Sequence, residues 1–237
     1  MQIISGEFKR RKLESPKGSE TTRPMPTRIR EAIYSMLRGH VEGHNILDCF
    51  AGSGSMGLEA ISRGAKRCLF VERDRGVAAL IRRNIEALGV EDRADVALGD
   101  ALGAAALTRA PRPIHLLFFD PPYKLVIEPD SRIRVMRQLN RLIQLLDDDG
   151  YAVFRTPWPL FEGMSLPDAH DDDTPIDLLD ADLEWVEEDA PVKRPHGTTP
   201  VDLSLDDAVG PETHDYGSMA VHLYMKQTGA TETIDAG

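Results

Sequence analysis

The chain has 237 residues, 41% of them hydrophobic, and a formal net charge of -11, enough for one main core with a small appendage. Its two cysteines, Cys49 and Cys68, are too few for a disulfide scaffold and lack the spacing of a metal site, and there is no run of about 18 apolar residues to span a membrane. Met1-Gln-Ile-Ile-Ser-Gly6 has no charged start followed by an apolar stretch, so a cytoplasmic protein, monomeric by default, is expected.

Charge is segregated along the chain. Residues 1–40 carry nine Lys/Arg against four Asp/Glu, residues 41–146 fifteen against thirteen, and residues 147–237 four against twenty-two. Phosphate feels local potential within a Debye length of about 8–10 Å, so a basic face can serve a nucleic acid on an acidic protein. An N-terminal basic segment, 1–40, is therefore separated from a main domain at 41–226 and a polar tail at 227–237.

In chain order, Ile3–Phe8 and Arg11–Leu13 predict a small basic hairpin, and Thr27–Leu37 a helix with Thr27 as N-cap. Short apolar runs at Asn45–Phe50, Cys68–Glu72, Ala94–Leu98 and Ile114–Phe119 read as buried parallel strands. Helical spacing separates them at Met56–Arg63, Gly76–Leu88 and Ala101–Leu107. A longer helix is expected at Ile133–Leu146, stopped by Asp147-Asp-Asp-Gly150, and a fifth strand at Tyr151–Arg155. Leu183–Val186 and Met219–Met225 complete the pattern as an antiparallel pair at one edge. The alternation predicts a doubly wound α/β sheet, mostly parallel, with acidic loop insertions at about 157–182 and 190–217.

The chemistry concentrates in two runs. In Asp48-Cys-Phe-Ala-Gly-Ser-Gly-Ser-Met-Gly57 a strand exits into a glycine turn, where bare backbone N–H groups come close to a ligand at the carboxyl edge of the sheet. The Gly-x-Gly-x-x-Gly spacing also fits a dinucleotide fingerprint, but Asp48 followed by Ala51, Gly52, Ser53 and Gly54 resembles the first motif of S-adenosylmethionine-dependent methyltransferases. Asp48 could orient the turn and the cationic amino-acid end of the cofactor, or simply cap the turn. Glu72, about 20 residues after the glycines, suits a ribose diol, with Asp74 as the competitor that could instead cap a helix. Asp100 could accept from an adenine amine or cap a helix at Ala101.

The second run is Phe119-Asp-Pro-Pro-Tyr123. Two prolines fix the backbone after a strand and hold Asp120 and Tyr123 at the crevice. An exocyclic amine is a poor nucleophile because its lone pair is delocalised. Accepting its hydrogens on the Asp120 carboxylate and the Pro121 carbonyl would draw that pair out, and Tyr123 could stack on the base. Asp120, Pro121, Pro122 and Tyr123 are the catalytic candidates. The seven histidines show no ligand spacing in the sequence, and no metal site is expected.

Together with Ile3–Leu13, Thr22–Glu31, Leu47–Arg63, Phe70–Asp74 and Ala220–Tyr224, these motifs resemble the bacterial 16S ribosomal RNA guanine-N2 methyltransferase D family. The resemblance implies a Rossmann-like methyltransferase sheet, S-adenosyl-L-methionine as cofactor, and methylation of the N2 amine of a guanine in 16S rRNA of the small ribosomal subunit or its assembly intermediate. It also implies RNA contacts from the basic segment, for which Arg10, Arg11, Lys12, Arg23, Arg28 and Arg30 are the candidates. The acidic segments after residue 157 exceed the family pattern and are expected to face away from RNA. Methylation of a DNA base or a protein glutamine amide, and a cofactor-binding assembly factor without turnover, are the competing readings.

Overall fold

The computed structural model describes residues 1–15, 25–164 and 199–228. Four short runs form parallel strands: β1 (Asn45–Cys49), β2 (Arg67–Glu72), β3 (Ala94–Leu98) and β4 (Ile114–Phe119). They are followed by β5 (Leu146–Pro157), β6 (Ala208–Asp215) and β7 (Met219–Lys226). The helices are α1 (Thr27–Met36), α2 (Ser55–Ser62), α3 (Arg75–Leu88), α4 (Ala104–Arg109), α5 (Tyr123–Ile127) and α6 (Pro129–Ile143). The seven strands lie in the order β3-β2-β1-β4-β5-β7-β6, with β7 antiparallel to both its neighbours. Strand order reverses direction between β1 and β4, the place where doubly wound sheets form a crevice beyond the carboxyl ends of their strands.

Both faces of the sheet are covered, because alternate side chains point to opposite sides. Ile46, Cys68, Phe70 and Leu116 pack with residues of α1, α2 and α3. Leu47, Cys49, Leu69, Val71 and Leu117 pack with residues of α4, α5 and α6. Two-sided burial explains why the parallel strands read as continuous apolar runs; in β4 all six residues are buried. The free Cys49 and Cys68 belong to these layers, and burial pushes both thiols well above the usual range.

The N-terminal segment is part of the first layer, through Ile3 and Leu13. It is not a two-stranded hairpin. A single antiparallel bridge joins Gln2 and Lys12, because the next amides are taken by α2: Ile4 and Ser5 donate to the fully buried Glu59 carboxylate at 2.7 and 3.0 Å. Gly6, at φ 83°, lies so close to α2 that a Cβ would sit 1.8 Å from the Ser62 carbonyl oxygen. Glycine is the residue that permits this contact.

Other expectations shift. Thr27 is the first residue of α1 rather than its cap; Pro26 holds the N-cap position, with no side-chain cap bond. The helix expected at Ala101 begins at Ala104, after Gly103. α6 starts at Pro129, where a missing N–H costs nothing, and ends at Ile143. The Asp147-Asp-Asp-Gly150 run lies inside β5, across a register shift between Ile114 and Leu116 of β4, and is not a helix stop. Residues 208–215, expected to be loop, form β6. That edge strand is mostly exposed and interrupted at Gly210-Pro211, so it lacks apolar alternation and owes its form to backbone pairing with β7. The expected strand at Leu183–Val186 lies outside the described residues. Among the described residues no helix is long and apolar enough to cross a membrane.

β5 and β6 flank His222 of β7, which is 1% exposed and sits between the Thr156 and Thr213 hydroxyls, each at 2.8 Å. Burial lowers its pKa to about 4 from 6.5. The unfolded chain therefore binds the extra proton first, so stability is present above pH 6.5 and is lost as pH falls toward 4. Between pH 7 and pH 4 the wild-type protein is expected to lose roughly 3 kcal/mol more than the His222→Gln variant, measured by urea unfolding across that range.

Candidate active site

The glycine turn is held from below. Asp48, on β1, is 3% exposed, and its Oδ2 accepts the Gly57 N–H at 2.9 Å. That bond satisfies an orphan amide in the first turn of α2 and fixes where the helix begins. Burial pushes the Asp48 carboxyl well above the usual carboxylate range; the Gly57 N–H pulls it back, and nearby Asp120 and Glu72 raise it further. The three carboxylates therefore share one edge of the sheet. Gly52 and Gly54 take positive φ, 52° and 75°, and Phe50 is also left-handed at 59°, a conformation that costs energy outside glycine. The Phe50 ring is held edge-on by Phe119 at 5.3 Å.

Glu72 closes the turn from the next strand. Its Oε2 accepts Gly52 N–H at 3.0 Å and its Oε1 accepts Asp74 N–H at 2.8 Å. Asp74 in turn caps α3, accepting Val77 N–H at 2.8 Å. The two acids that the sequence leaves in competition thus do different things: Glu72 faces the turn, and Asp74 starts a helix. Asp100 is exposed after β3 and accepts Leu102 N–H at 2.9 Å, a local turn rather than a helix cap. Ser53 is buried, with its hydroxyl 3.5 Å from the Met1 sulfur, and Ala51 is 9% exposed, donating its N–H to the Val71 carbonyl.

Asp120 stands beside the turn, because β4 pairs directly with β1. Its N–H reaches the Cys49 carbonyl at 3.4 Å. Pro121 is buried and Pro122 exposed, occupying the N-cap position of α5, whose first residue is the half-buried Tyr123. Burial pushes the Tyr123 phenol above its ordinary pKa.

Sequence reasoning missed Arg155. From β5, which flanks β4, its Nε donates to Asp120 Oδ1 at 2.6 Å, and its guanidinium lies 5.4 Å from the centre of the Tyr123 ring. Burial opposes the guanidinium charge, but Asp120 outweighs it and holds the pKa above the ordinary value. Both side chains are largely shielded, at 15% and 24% exposure, so this pair is screened less than a surface pair. Oδ2 of Asp120 accepts no bond among the described residues. The available signal was an arginine closing the apolar run Tyr151-Ala-Val-Phe154.

The basic candidates scatter. Arg30 is corrected: it is 2% exposed and donates to the Gln2 carbonyl at 2.8 Å, tying α1 to the N-terminal segment instead of offering a surface cation. Arg11 donates to the Ala87 carbonyl at 3.1 Å. That end of the 14-residue α3 lies about 20 Å from the glycine turn, at the opposite edge of the sheet. Arg10, left-handed at φ 70°, and Lys12 are exposed in the same segment, and Arg28 is exposed on α1. Arg23 lies outside the described residues.

Of the glycines in the turn, Gly57 is the most closely packed. A Cβ there would meet Phe70 Cε1 at 2.3 Å and Cys68 Sγ at 2.6 Å. Gly57→Ala is expected to destabilise the fold by about 1–3 kcal/mol, measured by denaturant unfolding, because α2 must lift off β2.

The conserved hypothetical protein 95 family matches residues 1–157. A putative rRNA methyltransferase, YlbH, from Bacillus subtilis is 34% identical over 154 residues, spanning 65% of this chain and 80% of that protein. Ribosomal RNA small subunit methyltransferase D of Escherichia coli K12 is 33% identical over 151 residues, 64% of this chain and 69% of its own. Among solved structures, the putative methyltransferase yhhF from Escherichia coli superposes with a TM-score of 0.64 at 24% identity, covering 97% of this chain and 99% of that one. At that identity the likeness speaks for the fold. A family match across the whole glycine turn and the Asp-Pro-Pro-Tyr loop makes this chain a member of the conserved hypothetical protein 95 family, to which ribosomal RNA small subunit methyltransferase D belongs.

Proposed function

We propose that this protein transfers a methyl group from S-adenosyl-L-methionine to the exocyclic N2 amine of a guanine in 16S rRNA, within the small ribosomal subunit or an intermediate in its assembly. The observation that carries the reading is Asp120, fixed by Arg155 at the carboxyl end of β4, next to the strand that enters the glycine turn. The relatives named for ribosomal RNA methylation supply the substrate class.

The turn fits the cofactor. A Cβ added at Gly52 would meet, among the described residues, only the Phe50 carbonyl oxygen, at 3.9 Å, so the space before the turn is open. Asp48 and the amides from Ala51 to Gly54 would hold the amino-acid end, Glu72 the ribose hydroxyls and Asp100 the adenine amine. When bound, the cofactor supplies an electrophilic methyl group on a sulfonium sulfur.

The chain's own part is alignment. Arg155 occupies Oδ1 of Asp120 and fixes the carboxylate plane, so Oδ2 accepts one amine hydrogen while the Pro121 carbonyl accepts the other. The guanine nitrogen then directs its lone pair at the methyl group, and Asp120 takes the proton released after transfer. Tyr123 supports the base by stacking. Arg10, Arg11, Lys12, Arg23 and Arg28 serve RNA phosphates; the first three, at the far end of α3, would touch RNA about 20 Å from the target base. A guanine in an unpaired loop flips out at a cost of a few kcal/mol.

The test is mass mapping of modified nucleosides in 16S RNA from cells with and without the protein, joined to radiolabelled methyl transfer into small subunits from cells lacking it. Label in DNA or in a release-factor glutamine would overturn the substrate, and no label in any of them would leave a binding protein. Asp120→Ala is expected to lower the transfer rate by about 100- to 10,000-fold with cofactor affinity nearly unchanged. Arg155→Gln, which removes a positioning residue and not a reacting group, is expected to lower the rate by about 100-fold in single-turnover assays, again sparing cofactor affinity.

A further inference from the structure

At the edge of the sheet opposite the crevice, the fold gathers histidines that are far apart in the sequence. His44 immediately precedes β1, His115 is the second residue of β4, and Asp147 is the second residue of β5. β1, β4 and β5 are adjacent, so their amino ends bring the three together, with one donor atom of each within 4.8 Å of the others. His40, in the turn after α1, approaches the same cluster. The histidines that show no ligand spacing along the chain are thus neighbours in space.

We propose that His44, His115 and Asp147 form a zinc site, with water as the fourth ligand and His40 as the support that orients His115. The donor set of two imidazoles and a carboxylate suits Zn2+ and is too rich in nitrogen for Mg2+ or Ca2+.

The cluster is built rather than casual. His115 is 4% exposed, and its Nδ1 faces the Asp147 carboxylate squarely, at 2.8 and 2.9 Å from the two oxygens. Its other nitrogen, Nε2, lies 3.0 Å from His40 Nδ1. The His44 ring is stacked on His115 with centroids 3.7 Å apart and planes at 15°. Tyr151 meets His40 edge-on at 5.0 Å. Gly150 keeps the carboxylate in place, because a Cβ there would sit 2.7 Å from both Asp147 Oδ1 and the His115 carbonyl oxygen.

Metal-free, a neutral His115 donates its Nδ1–H to the Asp147 carboxylate and accepts the His40 Nδ1–H on Nε2. The ion takes the place of the proton between His115 Nδ1 and Asp147. His115 then carries its proton on Nε2 and donates to His40 Nδ1, the usual arrangement for a metal-bound histidine and its supporting partner. Tetrahedral zinc with bonds of about 2.0–2.1 Å sets its ligand atoms about 3.3 Å apart, so the His115–Asp147 pair opens by about half an ångström and the half-buried His44 turns its ring to converge. His115 and Asp120 are separated by about 16 Å of β4, so the site would clamp the amino ends of three strands without entering the methyl-transfer chemistry.

The experiment uses the full chain without a histidine tag, stripped by chelator and dialysed, then titrated with zinc chloride by calorimetry and followed by thermal unfolding. One zinc per chain is expected, and a Tm rise of roughly 5–10 °C when free zinc is 100 times Kd. His44→Gln and Asp147→Asn should weaken binding by at least about 100-fold, and His40→Gln by about 10- to 100-fold. All three positions are partly exposed, and their folding is checked by circular dichroism. Zinc uptake or Tm response shared equally by the wild type and the His44→Gln and Asp147→Asn variants would overturn the site, as would the absence of stoichiometric binding by the wild type.

Discussion

The Asp48 carboxylate, buried and accepting the Gly57 N–H, sets the position of everything at the crevice. It fixes the first turn of α2 relative to the end of β1, and the glycines between them have one path left to follow. Glu72 then fastens the middle of that path to β2 through the Gly52 amide. A carboxylate taken out of water keeps its charge only with compensation, and the pull of Asp120 and Glu72 on its pKa shows how closely acids are packed at this edge.

The third acid at this edge, Asp120, is arranged differently. Asp120 has a full cationic partner in Arg155, and the guanidinium also reaches the face of Tyr123. One side chain therefore orients both the carboxylate and the aromatic ring of the Asp-Pro-Pro-Tyr loop. The prolines restrict the backbone and the arginine restricts the side chains, so the loop is held close to one conformation.

The N-terminal segment is woven into the same layer. Glu59, fully buried on α2, accepts the amides of Ile4 and Ser5 and the Arg63 guanidinium, and Gly6 lets the chain touch the Ser62 carbonyl. Basic residues that read as one patch along the chain are consequently distributed: Arg30 inside, Arg11 at the far end of α3, Arg28 on the surface of α1.

What the sequence determined by itself was local and periodic. The strands β1 to β4 were legible to within a residue or so, because two-sided burial leaves unbroken apolar runs, and the Gly52 and Asp120 motifs were legible because turns and proline loops are encoded by the residues that form them. β6 was not, since an exposed edge strand takes its shape from its neighbour's backbone and carries no pattern of its own. Only the tertiary structure decided which distant side chains meet. Arg155 finds Asp120 because β5 lies beside β4, and His44, His115 and Asp147 converge because three parallel strands begin at one edge. Such contacts depend on strand order, which hydrophobic periodicity does not encode.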